Sequence, residues 1–329
     1  MTTRQSPGAR RLTPRSSAAA LDGQALHLQR VRRRPYNQTV NTPLSWINAD
    51  LHCHSAVSDG TLQPEALAAR AKANGVELWA LTDHDEIGGQ QRARDAALAI
   101  GLPYLTGTEI SVTFADTTVH IVGLGFDADD AALHTGLAAT RGGRRERAME
   151  MSDGLAKVGV RSAYEGALKY VGNPELISRT HFARFLVETK VCADTSEVFR
   201  KYLVEGKPGF VAHRWASLRN AVNWITQAGG VAVIAHPARY KFTPTEEYAL
   251  FTEFMAHGGR GVEVVTGSHS AADALRYTET ALEFDLLASR GSDFHSPDES
   301  HTDLGKLPAL PARLTPVWDA LQDRIQRPS

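Results

Sequence analysis

Two pairs of metal-binding side chains share one spacing: His52 and His54 in ADLHCHS, and Asp293 and His295 in RGSDFH. In an extended strand, side chains at i and i+2 leave the same face. Each pair can therefore aim both members into one space, while Cys53 and Phe294 point away. Imidazole and carboxylate together suit hard or borderline divalent cations, and the chemistry such cations support best is hydrolysis. A lone His-x-His is as easily an exposed strand. A second pair of the same spacing, after another apolar run at the far end of the chain, argues against chance.

Five further residues have the right chemistry. Asp59 in SDGT is on its own a turn residue ahead of a helix. His84 sits in LTDHDE, directly after an apolar run, where three consecutive polar side chains are costly to bury unless something pairs with them. Glu109 in TGTEISV interrupts a strand pattern, and a carboxylate there can bridge two cations. His120, which begins HIVGLGF, and His236, which ends VAVIAHP, are each equally at home as ordinary strand histidines. Nine ligands exceed what one cation needs, and two or three divalent ions would use them. Clustered cations of that kind suit phosphoryl chemistry.

The elements that position these residues are seven apolar runs, near 46–53, 77–83, 103–113, 118–125, 230–235, 261–266 and 286–292, several of them bounded by Gly or Pro. Helical patterns separate most of them, near 64–74, 90–100, 217–228, 245–257 and 271–284. Pro64 in a first turn and Gly75 just past an end mark the first of these helices. Strand–helix alternation predicts an α/β protein with a parallel sheet or barrel, in which active sites collect at strand ends. Residues 130–210 carry no strand pattern. They read as a small helical insertion, with helices near 144–158, 179–190 and 195–203, covering one mouth of a barrel built from 46–129 and 211–329.

The chain has 329 residues and a formal net charge of −1, so any anion binding must come from a local patch. Cys53 and Cys192 form no metal-spaced motif and no disulfide framework, which points to a reducing cytoplasm. No apolar run reaches the roughly 20 residues that span a bilayer, so no membrane role is expected. Residues 1–45 hold eight arginines, no lysine and a single acid, Asp22. They read as a disordered basic extension or sequence upstream of the true start, with an organelle transit peptide as the other reading.

The pieces DLHCHSAVSDGTLQPEAL, LTDHDEIGG, GTEIS, HIVGLGF, VIAHP and GSDFH occur in one order across residues 49–295. In that combination the chain resembles the PHP (polymerase and histidinol phosphatase) metallophosphoesterases. The resemblance implies a distorted seven-stranded β/α barrel and a partition of the ligands. His52, His54, Glu109 and Asp293 would hold one ion; Glu109, His120 and His236 a second; and Asp59, His84 and His295 a third. It implies manganese, with iron, zinc or magnesium as the other candidates, and a metal-bridging hydroxide as nucleophile, with no protein side chain assigned as base.

Within 130–210, Arg141, Arg144, Arg145 and Arg147 crowd one helix start, and Arg179 and His181 follow among apolar residues. Arginine grips phosphate bidentately, whereas the plain alternative is a solvated helix face. RxxRA…M, ISRTHFARFLV, FRKYLVEGKPGFV and HRWASL resemble the PHP subgroup of 3′,5′-nucleoside bisphosphate phosphatases and the 5′-to-3′ exoribonuclease RNase AM. By that resemblance Arg144, Arg147, Arg179 and His181 hold the non-reacting phosphate or the ribose. The expected substrate is a nucleoside 3′,5′-bisphosphate, and a short 5′-phosphorylated RNA would undergo the same reaction. The rivals are a phosphatase for another small monoester such as histidinol phosphate, an amidase-like metallohydrolase, and a non-catalytic scaffold domain.

Overall fold

The computed structural model describes residues 47–329, and the basic extension assigned to 1–45 lies outside the described residues. Among these residues nine strands form two sheets. The smaller is parallel, in the order β1 (Ala49–Asp50), β2 (Leu78–Ala80), β3 (Tyr104–Leu105). The larger is mixed, and its order is β6 (Ala216–Ser217), β4 (Gly107–Phe114), β5 (Thr117–Leu124), β7 (Val231–Ile234), β8 (Gly261–Thr266), β9 (Leu287–Gly291).

Each apolar run contains a strand, but the run 103–113 contains two. It breaks at Thr106, whose hydroxyl donates to Phe126 O at 2.6 Å while its carbonyl accepts from Gly125 N at 2.8 Å. Those bonds take Thr106 out of the ladder, so β3 serves one sheet and β4 the other. The sheets also meet along both margins. Bridges join Cys53 to Phe294 and His84 to Glu109, and Asp293 N donates to His52 O at 2.8 Å.

The expectation of a purely parallel arrangement fails at β5, which pairs antiparallel with both β4 and β7. The cause is local. Ala115 and Asp116 take φ of 45° and 57°, and two consecutive positive-φ residues make the tight turn that matches strand twist in a hairpin. Alanine tolerates that region poorly, whereas asparagine tolerates it well. Ala115→Asn is therefore expected to raise stability by about 0.5–1 kcal/mol, read as a higher urea midpoint with an unchanged slope.

Most strands are buried on both faces, which is why they read as continuous apolar runs rather than alternating ones. Ile121, Ala232, Ile234 and Val262 pack outward with helices α8 (Leu218–Gln227), α9 (Pro244–Ala256) and α10 (Ala271–Glu283). Leu51, Leu78, Leu105, Val122, Val233 and Leu287, drawn from both sheets, pack inward with Val317, Trp318 and Leu321 of the C-terminal segment. Helices α1 (Pro64–Ala73) and α2 (Gln90–Ala99) cover the smaller sheet around Trp79 and Tyr104.

Between β5 and β6 the chain is helical: α3 (Ala131–Arg141), α4 (Arg144–Ala156), α5 (Ala163–Leu168), α6 (Arg179–Glu188) and α7 (Thr195–Val198), the last running into a π-helical turn at Phe199–Leu203. Met151, Leu155, Phe182, Leu186, Val198 and Leu203 belong to a hydrophobic cluster of these elements. Among the described residues no helix is long and apolar enough to cross a membrane.

Candidate metal centre

All nine candidate ligands lie at one end of the strands. His52, His54, His84, His236, Asp293 and His295 follow the C-terminal ends of β1, β2, β7 and β9, and Glu109 lies near the start of β4. His120 is near the start of β5. Because that strand is antiparallel, its early residues face the same end, and His120 sits opposite Ser111. Gly291 permits the closest approach, since a Cβ there would fall 2.2 Å from that of His52.

Glu109 is the hub. Its Oε1 lies 3.3 Å from His52 Nε2, 2.9 Å from His120 Nδ1 and 3.0 Å from His236 Nε2; its Oε2 lies 3.3 Å from His54 Nε2 and 2.9 Å from His84 Nδ1. Asp293 Oδ1 is 3.2 Å from His54 Nε2 and 3.6 Å from His52 Nε2. Asp59 Oδ1 is 3.4 Å from His295 Nε2 and 3.9 Å from His84 Nε2.

Whether these donors fit cations can be judged from their hydrogen bonding. His54 Nδ1 and Asp59 Oδ1 are buried and have no hydrogen-bond partner, and His84 Nδ1, His120 Nδ1 and Glu109 Oε2 are buried in contacts as short as 2.9 Å that do not have hydrogen-bond geometry. Leaving so many buried polar atoms unsatisfied is expensive, and a set of imidazoles and carboxylates aimed at shared points fits divalent ions. Four subsets of three or more lie close enough to act together: His54 with Asp59, His84 and His295; His52 with Glu109 and His236; His52 with His54 and Asp293; and His84 with Glu109 and His120.

The carboxylates and imidazoles set one another's charge: burial opposes protonation of His84, but Glu109 and Asp59 push it up to about 9, and against the same burial carboxylate neighbours raise His52 and His295 as well. Burial opposes ionisation of Glu109, but His120, His84 and His52 around it hold its carboxyl well below the usual range. Asp59 and Asp293 are held low in the same way, against burial, by His84 and His295 and by His52 and His295 respectively. His54 is pushed down to about 3 by burial and by His295 and His84, so its ring is neutral at ordinary pH. His236 is pushed down to about 4 by burial and by Arg239.

Backbone strain gathers at the same place. Asp85, His236 and Asp293 have φ of 50°, 27° and 55°. Non-glycine residues in that region cost about 1–3 kcal/mol each, and they persist where the surroundings over-determine them.

One supporting residue escaped the sequence reading. Glu263, fully buried in β8, accepts from His52 Nδ1 at 2.9 Å through Oε1 and from the His236 backbone N–H at 2.7 Å through Oε2. The first bond fixes the tautomer that leaves His52 Nε2 free to ligate. The only signal was an acid inside the apolar run GVEVVT. Glu263→Gln is expected to cut metal affinity or turnover about 10- to 100-fold, read as metal content after dialysis alongside activity.

A cavity opens over the cluster, with Asp59, Glu109 and Asp293 on its floor and arginines around its wall. Arg144, Arg147 and Arg179 all line it. Arg144 donates to Asp85 Oδ2, and its guanidinium lies 4.6 Å above the Trp215 ring. Arg147 donates to Val211 O at 3.0 Å and lies 5.4 Å from the same ring. Arg179 sits over Phe199 at 5.7 Å. Burial, with Arg179 and Arg144 nearby, pushes Arg147 down to about 9, a mutual repulsion that an anion would relieve.

His181 is placed elsewhere. Its Nδ1 accepts the Ser178 backbone N–H at 3.0 Å as part of the α6 cap, and the buried ring does not line the cavity. Ser178 lines it instead, its hydroxyl donating to Asp59 Oδ2 at 3.2 Å. Arg239, also missed, donates to Asp293 Oδ2 at 2.7 Å and completes the wall.

Residues 50–223 match the PHP domain. The chain belongs to the PHP family. It is 49% identical over 282 residues to the 3′,5′-nucleoside bisphosphate phosphatase of Chromobacterium violaceum, covering 86% of this chain and 99% of that one. It is 40% identical over 270 residues to a 5′-3′ exoribonuclease of Haemophilus influenzae, covering 82% and 97%. Among solved structures, an amidohydrolase from C. violaceum, determined with sulfate bound and no metal, superimposes with a TM-score of 0.84 at 49% identity, covering 86% of this chain and 98% of that one.

Proposed function

We propose that this PHP protein removes the 3′-phosphate from nucleoside 3′,5′-bisphosphates, giving a nucleoside 5′-monophosphate and orthophosphate. The observation that carries the reading is the facing arrangement of one cavity: seven of the nine ligands on its floor, with His52 and His54 buried out of its lining, and an arginine cluster on its wall. A substrate with a single phosphate would occupy the floor and leave the half-buried Arg147 and Arg179, which unlike Arg144 have no carboxylate partner among the described residues, without a counter-ion. A bisphosphate satisfies both. The names of the C. violaceum phosphatase and the H. influenzae exoribonuclease support the same substrate class.

His52, His54, Glu109 and Asp293 would hold one cation, Glu109, His120 and His236 a second, and Asp59, His84 and His295 a third; manganese suits this mixed N/O set. Bound cations would supply a water of lowered pKa and neutralise the phosphate oxygens. The chain's own residues do the rest. Arg147 and Arg179 bind the distal 5′-phosphate, Arg144 is braced between Asp85 and Trp215 as part of that wall, and Arg239 neutralises charge beside Asp293. Water oxygen adds to phosphorus, the bond to the 3′-oxygen breaks, and that oxygen leaves as a hydroxyl. A 5′-phosphorylated RNA would react at its first linkage by the same bond changes. The two sheets, joined at both margins, we read as the distorted barrel, with 130–210 as its helical cap. The free, buried Cys53 and Cys192 suit a reducing cytoplasm.

The test is phosphate release from adenosine 3′,5′-bisphosphate, with manganese and with chelator, against histidinol phosphate and 5′-AMP. Metal-dependent loss of the 3′-phosphate alone is expected. Turnover confined to the monophosphates would overturn the reading of the arginine wall.

A further inference from the structure

A second cavity, ≈ 660 Å³, adjoins the metal centre beyond Asp293 and His295. It shares Thr180, Phe199, Arg239, Asp293 and His295 with the first, so the two spaces meet at the ligands themselves. We propose that this groove holds the nucleotides that follow the scissile phosphate of a single-stranded RNA, which rests on the bisphosphate reading above. In a bisphosphate the 3′-phosphorus carries only bare oxygens beyond the leaving group. In a polynucleotide one of those oxygens is esterified to the next nucleotide, and the strand must pass out of the first cavity.

The charges in the groove suit that strand. Its two acids are already matched: Glu299 accepts two bonds from Arg184 at 2.8 and 2.7 Å, and Asp293 accepts from Arg239. Arg200 and Lys241, both exposed on its wall, have no hydrogen-bond or ion-pair partner among the described residues. Two unmatched cations beside Ser196, Ser268 and Thr302 hydroxyls form a surface for backbone phosphates, which such groups contact without reading sequence. Phe199, at the junction, offers an aromatic side chain where a base leaves the first cavity. Each cycle is balanced: water adds to phosphorus, the 3′-oxygen of the terminal nucleotide leaves, and the phosphate stays on the shortened strand. That strand again has a 5′-phosphate, so the groove converts a single cut into stepwise removal.

The experiment compares adenosine 3′,5′-bisphosphate with a 5′-phosphorylated RNA tetranucleotide, using the manganese-loaded full chain and its Arg200→Ala/Lys241→Ala variant. The variant should raise KM for the tetranucleotide about 10-fold and leave bisphosphate kinetics within about twofold. Losing two backbone contacts should also reduce the log KM against log salt slope by about 1.4. Equal effects on both substrates, or none on either, would overturn the groove. So would a wild-type protein that turns over the bisphosphate but leaves the tetranucleotide intact, with the parent reading still standing. A wild-type protein inert toward the bisphosphate sinks the parent reading and the groove with it.

Discussion

Asp293→Asn should lower manganese-dependent phosphate release by more than about 100-fold while the protein stays folded. The substitution is nearly isosteric, and asparagine tolerates the φ of 55° at this position, so the change isolates charge from shape. The carboxylate approaches both His52 and His54 and also anchors Arg239. An amide would weaken the ion beside those imidazoles and release the arginine together. His84→Ala should be as damaging, because it removes a ring that reaches toward both Glu109 and Asp59. Circular dichroism and bound-metal content serve as controls. Undiminished turnover in either variant would refute its place among the ligands.

Arg179→Ala should separate the two ends of the substrate. Its guanidinium is half-buried on the cavity wall, positioned over Phe199, and pushed down by desolvation and by its neighbours Arg239 and Arg144. Such a group gains most from a counter-anion. Losing it should cut kcat/KM for the bisphosphate about 10- to 100-fold, the usual worth of a charge-assisted contact. An aryl phosphate, which has nothing to place there, should lose much less. Proportional losses on both substrates would put Arg179 outside the distal phosphate site.

What the sequence made visible follows from strand geometry. Ligands at strand ends announce themselves as polar residues closing apolar runs, as His52, His84, His236 and Asp293 do, and all four lie in one cluster. The reading was weaker wherever a residue's partner came from a different strand. Glu263 was passed over as an acid within an apolar run, because only the fold brings it to His52 Nδ1. Arg239 stands three residues after His236, in a 3₁₀ turn that has no periodicity to betray it. His181 has a local role that its position three residues after Ser178 also allows: its Nδ1 satisfies the helix end, while its buried Nε2 has no hydrogen-bond partner. The hairpin at Ala115 and Asp116 lacked the Asn-Gly or Asp-Gly that usually announces such a turn, so the reversal of β5 was hidden.

The hydrogen bonds between the loops after β1 and β9 also matter for biosynthesis. His54 N donates to Phe294 O and Asp293 N to His52 O, both at 2.8 Å, so the earliest and latest ligand pairs are zipped directly together. During translation His52 and His54 leave the ribosome long before Asp293 and His295 exist. Contacts between residues so distant along the chain form late. A nascent or prematurely terminated polypeptide therefore carries an incomplete ligand set, and full hydrolytic capacity arrives only with the last strand.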